Sequence, residues 1–355
     1  MALHDIDAIR LGEILRAPGE IALIDLRPAI AFGNGAPLHG ANVPLVELEA
    51  RIDALVPHRH TPIALIDGDG SLVRRAAGQL AERGYETVYS LRGGVDDNER
   101  LPVVPIRVAA PRIISGEVER SFRTPVTTAR ELVRLREAGT PAIVFDTRSL
   151  EEYAREHIPD SYPAPGGEIV AQFHALVHSP EVRVITTCAG RSRAVLAAQT
   201  LIDGGVANPV STLDFGTLGW RDLGLPLAHG EERAPAPVDA AGAAFAAALL
   251  APVSQRFVRH DAAALAGWLG DSSRTTYALD VRLPDAFARG HLPGSVNAPG
   301  GQLGIWLGKW AAVREARLAL IDSAPGNRAV TVGQWFARLG WEVAIVEHDF
   351  GDAPR

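Results

Sequence analysis

Six consecutive residues in the middle of the chain have types and spacing suited to chemistry: Cys188-Ala189-Gly190-Arg191-Ser192-Arg193. An apolar run ends at the cysteine, and a helical pattern starts directly after the loop. Backbone N–H groups at a helix start lack partners in the helix and stabilise anions, which favours the thiolate form of Cys188. Gly190 lets the loop curl into an anion-binding nest, and Ser192 caps the helix or donates to the sulfur. Because Arg191 and Arg193 add donors for a tetrahedral oxyanion, the loop predicts a nucleophilic cysteine that acts on a small anion.

A pair of charged residues, Asp146 and Arg148, closes the preceding apolar run. A neighbouring strand would end there, so we expect the pair to support the cysteine loop. The same Asp-x-Arg pattern recurs at two places that lack a cysteine, which favours a structural ion pair joining the strand to its loop. His157, which recurs as His291, is interpreted as a loop-packing residue for the same reason.

The Asp-x-Arg pairs belong to a larger internal repeat. In each copy one apolar run ends in the aspartate, a second run ends 42 residues later, and a helical pattern and a third run follow. The alternation of strands and helices predicts an α/β fold with open parallel sheets covered by helices on both faces. The helices after the second runs are predicted at residues 75–83, 193–203 and 328–339.

Each copy is long enough to bury a core of its own, so the chain is predicted to form three tandem domains. Their expected bounds are residues 1–105, 120–232 and 250–355. Only the middle copy has a cysteine at the end of its second apolar run; the others have Asp67 and Asp322 there. Because a carboxylate would repel an anionic substrate, the first and third domains are predicted to be inactive.

Composition and charge narrow the classes of partner. The 355 residues include 35 Lys+Arg and 42 Asp+Glu, for a net charge of -7, so no nucleic-acid partner is expected. The longest apolar stretch is shorter than the roughly 20 residues that span a bilayer, and the first residues lack the apolar run of a signal peptide. We therefore expect no membrane partner and a cytoplasmic location. A single cysteine and the lack of metal-ligand spacing or a nucleotide loop predict no metal and no cofactor.

Several of these segments together resemble rhodanese domains, the sulfurtransferase family. They are the Asp-x-Arg strand end, the cysteine loop, the loop His157-Ile-Pro-Asp-Ser-Tyr-Pro-Ala-Pro and its counterpart from Gly290, and the closing stretch at 213–220. The resemblance covers nearly the whole chain, and it looks most like bacterial proteins with several tandem rhodanese domains. It implies that each domain is an open five-stranded parallel sheet flanked by helices.

The resemblance also implies a reaction. Cys188 would take sulfane sulfur from thiosulfate or a similar small anionic donor, carry it as a persulfide, and pass it to cyanide, a thiol or a protein. The residues from Ala189 to Arg193 would bind the donor. Thiosulfate-using members often have Arg directly after the cysteine, where this chain has Ala189. Mercaptopyruvate-using members have a Cys-Gly-Ser-Gly-Val-Thr loop that this chain lacks, so the identity of the donor stays open.

Two other classes of function remain open. Phosphatases and arsenate reductases of related folds wrap an oxyanion in a Cys-x5-Arg loop, whereas here four residues separate Cys188 from Arg193. The shorter loop favours sulfur chemistry. A non-catalytic tandem scaffold or redox sensor would explain why two copies lack the nucleophile, and the intact cysteine loop argues against it as the whole function.

Overall fold

The computed structural model describes residues 2–37, 40–98, 103–104, 118 and 121–351. By compactness the chain divides into two units. The first comprises Met1–Ala110, Ala266–Tyr277 and Trp306–Leu318; the second comprises Pro111–Leu265, Ala278–Ile305 and Ala319–Arg355.

The first sheet is built from the first repeat. Its two central strands are buried along their whole length because their apolar side chains are covered on both faces, as in parallel α/β sheets. The parallel strands follow the order Ala2–Ile6, Thr87–Leu91, Ile63–Ile66 and Ile21–Asp25, with Ala41–Asn42 beside the last.

The first sheet also has a sixth, antiparallel strand that the repeat pattern does not predict. Val313–Arg314 pairs with Ile21–Asp25 at its amino end, where Val313 faces Ala22. This strand comes from the third repeat, between its two apolar runs, and it explains why parts of that repeat belong to the first unit. The division by compactness therefore cuts the third repeat, and the three predicted domain bounds stay a prediction.

The second sheet contains the cysteine strand and lies in the second unit. Its five strands run in the order Val126–Thr127, Val210–Leu213, Arg183–Thr187, Ala142–Asp146 and Tyr162–Pro163. Apolar side chains on one face of this sheet pack with those of the neighbouring helices and the connecting loop. The buried members of this cluster are Ala129, Leu132, Val144, Ile158, Ile185, Leu213 and Trp220.

The third sheet repeats the same order with Val258–His260, Glu342–His348, Arg317–Ser323, Thr276–Asp280 and Val296–Asn297. The predicted α/β fold, with open parallel sheets flanked by helices, is therefore confirmed, and the first sheet has one antiparallel strand in addition. The first strand of each sheet was missing from the sequence pattern. In the second and third repeats these strands are short, Val126–Thr127 and Val258–His260, and partly exposed, so they lack the continuous apolar run that marks the central strands.

The helix after each second strand begins close to its predicted start. The three are Val73–Glu82, Ser192–Asp203 and Asn327–Arg338. None of the helices in the described residues is long and apolar enough to cross a bilayer. Further α-helices whose residues the structure describes throughout are Ala8–Arg16, Ala29–Asn34, Leu48–Leu55, Ala129–Glu137, Leu150–Arg155, Ile169–Leu176, Gly216–Asp222, Ala240–Ser254, Ala262–Leu269, Pro284–Arg289 and Gly300–Trp306.

Candidate active site

Cys188 follows the central strand Arg183–Thr187 and precedes the helix Ser192–Asp203. Its neighbour Thr187 is paired in register with Asp146, so the cysteine lies beside the end of the Asp-x-Arg strand. This is the edge of a parallel sheet where ligands bind in open α/β folds. The cysteine is free and only 2% exposed, so a reagent must be small to reach its sulfur.

The carbonyl groups of the cysteine loop are held by the segment after the next strand. The Cys188 carbonyl accepts the N–H of Thr217 at 2.9 Å, and the Ala189 carbonyl accepts the N–H of Leu218 at 3.1 Å. Gly216, the residue before Thr217, packs against the cysteine loop with φ +52. A Cβ on Gly216 would lie 2.0 Å from the Cys188 carbonyl oxygen. Only glycine fits, because it adopts this φ freely and lets the two chain segments touch.

The backbone N–H groups of the same loop differ from its carbonyl groups in their hydrogen bonding. In the part of the chain that the structure describes, the N–H groups of Ala189, Gly190, Ser192 and Arg193 find no hydrogen-bond acceptor. They include the first N–H groups of the helix, which cannot be satisfied inside it. A loop with its carbonyls occupied and its N–H groups available is suited to bind an anion next to Cys188.

Arg193 forms an ion pair with the carboxylate of Glu152, a residue that the sequence analysis did not single out. Its two terminal nitrogens donate to the two oxygens of Glu152 at 2.6 and 2.7 Å, and Arg193 is 8% exposed. Burial alone would raise the pKa of Glu152, but the hydrogen bonds and charge of Arg193 outweigh it and lower that pKa to about 2. Burial disfavours the charged form of Arg193 too, yet the carboxylate and the nearby Cys188 raise its pKa. The pair therefore fixes the helix start, and donor binding by Arg193 stays a prediction.

Arg191 occupies a different position in the loop. It is the residue before the helix, with φ -149, and its guanidinium lies 3.1 Å from the carboxylate of Asp214. Both side chains are about one-third exposed, so this pair is in contact with solvent. Because solvent screens a partly exposed ion pair, an anionic ligand can compete with Asp214 for this guanidinium. Ser192 is the first residue of the helix, and Arg191 holds the capping position without a side-chain hydrogen bond, so Ser192 does not cap the helix as the sequence analysis considered.

Asp146 and Arg148 form a buried ion pair with three side-chain hydrogen bonds, at 2.7, 2.9 and 3.1 Å. Arg148 also donates to the carbonyl of Glu156 in the following loop. The first and third repeats have the same arrangement, in which Arg27 and Arg282 pair with their aspartates and donate to the carbonyls of Gly35 and Gly290. The structure therefore joins each strand to its loop in the same way whether or not a cysteine is present.

His157 packs in the loop after this strand. Its ring is fully buried, stacks on Tyr153 and lies within hydrogen-bond distance of the Tyr153 carbonyl and of Glu232. His291 stacks on Phe287 in the third repeat in the same way. These contacts fit the loop-packing interpretation.

The residues at the cysteine position in the other two repeats occupy their own loops. Asp67 accepts the N–H groups of Gly70 and Leu72, both at 2.6 Å. Asp322 accepts the N–H groups of Arg328 and Ala329 at 2.9 and 3.2 Å. Each carboxylate is buried and serves as the anion for the helix start that follows it.

The sequence around Glu152 contains two features that mark this residue. It stands three residues after Ser149, and the two form a capping box in which Ser149 and Glu152 each accept a backbone N–H from the other. The glutamate is also absent from the other copies, since Ala31 and Ala286 stand at the equivalent positions. A comparison of the three repeats therefore marks Glu152 as special to the cysteine copy.

Comparison with known proteins agrees with this geometry. The family model of the Rhodanese-like domain matches residues 128–223 and 261–351. These matches cover more than half of the chain, and the first includes Cys188, so the chain belongs to the rhodanese-like domain family.

Two relatives show the range of proteins that this chain resembles. A crystal structure of thiosulfate sulfurtransferase from Pseudomonas aeruginosa is 36% identical, with a TM-score of 0.92 over 99% of this chain and 68% of that chain. An HTH-type transcriptional regulator of Mycobacterium tuberculosis is 28% identical over 219 residues, which are 59% of this chain and 93% of that protein.

Proposed function

We propose that this protein is a sulfurtransferase that takes sulfane sulfur from thiosulfate or a similar small anionic donor, with Cys188 as the carrier. The observation behind the proposal is the cysteine loop. It places a thiol at the end of a central parallel strand, next to N–H groups that have no acceptor within the described residues. The likeness to a thiosulfate sulfurtransferase supports the same class of reaction.

In the first half of the reaction the Cys188 thiolate attacks the outer sulfur of thiosulfate. The sulfur–sulfur bond of the donor breaks, sulfite leaves with the bonding electron pair, and Cys188 becomes a persulfide anion. The charge on the outer sulfur is stabilised by the loop N–H groups, in the way that oriented backbone donors stabilise anions in other sites. Arg191 binds the sulfonate oxygens in exchange for its part-buried contact with Asp214.

In the second half an acceptor nucleophile attacks the outer sulfur of the persulfide. Cyanide would leave as thiocyanate, a thiol would leave as a persulfide, and in both cases the bonding electrons return to the Cys188 thiolate. This is covalent catalysis of the ping-pong type. Since the cysteine is buried, the acceptor must be as slender as the donor. The acidic composition and the single free cysteine support a cytoplasmic enzyme without nucleic-acid or membrane partners.

The oxyanion-wrapping alternative is disfavoured by the position of Arg193. In that chemistry the arginine after the loop would hold the oxyanion, whereas here both of its terminal nitrogens are engaged by Glu152. A phosphatase substrate tested beside thiosulfate separates the two activities.

The test is the intact mass of the protein before and after incubation with thiosulfate, with Cys188→Ser alongside. We expect the protein to gain one sulfur atom that cyanide or dithiothreitol removes, and the variant to gain none. No gain with thiosulfate or any other sulfane donor, while iodoacetamide still modifies Cys188, would overturn the proposal. Hydrolysis of the phosphatase substrate in that case would favour the oxyanion chemistry.

A further inference from the structure

The second and third repeats meet through equivalent segments within the second unit. These are Pro165-Gly166-Gly167-Glu168 and Pro299-Gly300-Gly301-Gln302. A Cβ on Gly301 would lie 2.9 Å from the backbone nitrogen of Gly166, so the two segments of the chain are in contact at their glycines. This close approach brings the side chain after each glycine pair to the opposite repeat.

The two side chains reach equivalent places in a reciprocal manner. Glu168 of the second repeat lies 3.3 Å from the guanidinium of Arg328, which is bound to Asp322 at the cysteine position of the third repeat. Gln302 of the third repeat donates to Glu152 at 2.9 Å, and Glu152 holds Arg193 at the start of the helix after Cys188. Each repeat therefore supports the loop of the other.

We propose that Gln302 is a positioning residue of the Cys188 site, through which the third repeat takes part in the chemistry of the second. This inference rests on the proposed function for its effect on sulfur transfer. It gives a role to a repeat that has no nucleophile of its own. Gln302 touches neither substrate nor cysteine, and it acts through the Glu152–Arg193 pair.

The geometry shows how the effect is transmitted. One oxygen of Glu152 accepts hydrogen bonds from Arg193 at 2.6 Å, from Gln302 at 2.9 Å, and from the backbone N–H and the hydroxyl of Ser149, both at 3.1 Å. Loss of the Gln302 donor leaves this oxygen open to water and loosens the carboxylate that orients Arg193. Because Arg193 is in the first turn of the helix that follows Cys188, a shift of its side chain moves the N–H groups at the start of this helix.

The first variant is Gln302→Ala in the full chain. We expect the rate of persulfide formation to fall about tenfold, as for the loss of one hydrogen bond to a charged group. The thermal unfolding temperature should stay close to that of the wild type, because Gln302 is only partly buried.

The second variant, Gln302→Glu, keeps the shape and adds a negative charge. It faces Glu152, whose carboxylate repels the new one, and behind Glu152 lie Arg193, Arg148 and Asp146, which interact with that pair. The new carboxylate also competes for Arg193 and makes the site more negative. We expect the pH midpoint for alkylation of Cys188 by iodoacetamide to move upward by about 0.5 unit or more, and less at high salt.

The matched control is Arg338→Gln. Arg338 pairs with Asp203 at 2.8 Å between the helices that follow the two loops, so it also links the second and third repeats, but at the far ends of these helices. We expect this control to keep the alkylation midpoint and the persulfide rate of the wild type. A midpoint for Gln302→Glu equal to that of the wild type, or an equal shift in the control, would overturn the inference.

The alkylation midpoint needs no sulfur donor, so it separates the two proposals. If the wild type forms no persulfide with any donor, the proposed function fails, while a shifted midpoint in Gln302→Glu alone still supports positioning by Gln302. If the persulfide forms and the midpoints coincide, the function stands and the positioning role is wrong.

Discussion

The cysteine loop and the two aspartate loops occupy the same point of equivalent sheets, but they differ in whether their backbone N–H groups have a hydrogen-bond acceptor. Asp67 and Asp322 bring a carboxylate that accepts the N–H groups of its own loop. Cys188 brings a thiol, and its loop N–H groups have no acceptor among the residues that the structure describes. An aspartate fills the anion site from within, whereas the cysteine leaves it for a substrate.

A second difference between the repeats separates structural groups from chemical ones. The Asp-x-Arg pair is present in all three copies with the same hydrogen bonds, so it belongs to the fold. The Glu152–Arg193 pair is present only beside the cysteine, since Leu72 and Asn327 occupy the positions equivalent to Arg193. What only the cysteine copy contains is the better guide to its chemistry.

The largest expected effect comes from making the middle copy resemble the others. Cys188→Asp should remove all sulfur transfer, because the nucleophile is gone and the new carboxylate accepts the loop N–H groups. Cys188→Ser should be equally inactive but should keep the loop open. Thiocyanate formation from thiosulfate and cyanide measures the loss for both variants.

The two inactive variants differ in a second property. The new carboxylate has a stabilised charged form, so Cys188→Asp should be more stable than Cys188→Ser at neutral pH and should lose that advantage in acid. Urea unfolding at pH 7 and near pH 2 measures it, because a carboxylate with a lowered pKa keeps most of its stabilisation down to the unfolded pKa of about 3.9. Equal stability of the two variants at both pH values would mean that the loop N–H groups do not bind a carboxylate in this copy.

The next effect is on stability and concerns the aspartate loops. The Asp322 carboxylate accepts hydrogen bonds from two helix N–H groups and from the side chain of Arg328. In Asp322→Asn an amide takes its place, and the NH₂ group of this amide cannot accept any of these hydrogen bonds. We expect a loss of about 3 kcal/mol in the free energy of unfolding, measured in urea, because the helix N–H groups lose a charged acceptor and Arg328 keeps only Glu168 as its carboxylate partner.

Asp67→Asn in the first repeat is the matched comparison for Asp322→Asn in the third. Asp67 accepts two backbone N–H groups and has no arginine partner among its described hydrogen bonds, so its loss should be smaller, about 1–2 kcal/mol. A larger loss at Asp67 than at Asp322 would contradict the view that the ion pair adds to the anion role.

The ion pair beside the cysteine should show its own dependence on pH. The pKa of Glu152 is lowered from 4.5 to about 2 in the folded protein, so the folded state favours its charged form. The stabilisation is therefore complete above pH 4.5 and is lost as the pH falls toward 2. We expect Glu152→Gln to cost about 3 kcal/mol at pH 7 and nearly nothing near pH 2. Urea unfolding across this range measures the difference, and a constant difference would exclude the charge as its cause.

The sequence was sufficient for the repeat, the central strands and the position of Cys188, because each depends on local apolar runs and on residue type. Val313–Arg314 is different, since this strand of two residues owes its place to pairing with the distant Ile21–Asp25. The partners of Arg193 and Gln302 depend on tertiary contacts in the same way. Glu152 is intermediate, because its capping box is local and its ion pair is not.

The smallest effect should separate the two arginines of the cysteine loop. Arg191 is in a part-buried pair with Asp214 that solvent reaches, and an anionic donor can displace this carboxylate, so Arg191→Ala should raise the KM for thiosulfate several-fold with little change in kcat. Arg193 is buried in its pair with Glu152 and orients the helix start, so Arg193→Ala should lower kcat as well as stability. Steady-state kinetics with varied thiosulfate distinguish the two patterns. If Arg191→Ala left KM unchanged and Arg193→Ala raised it alone, the buried arginine would be the donor-binding one, and Glu152 would have to release it during the reaction.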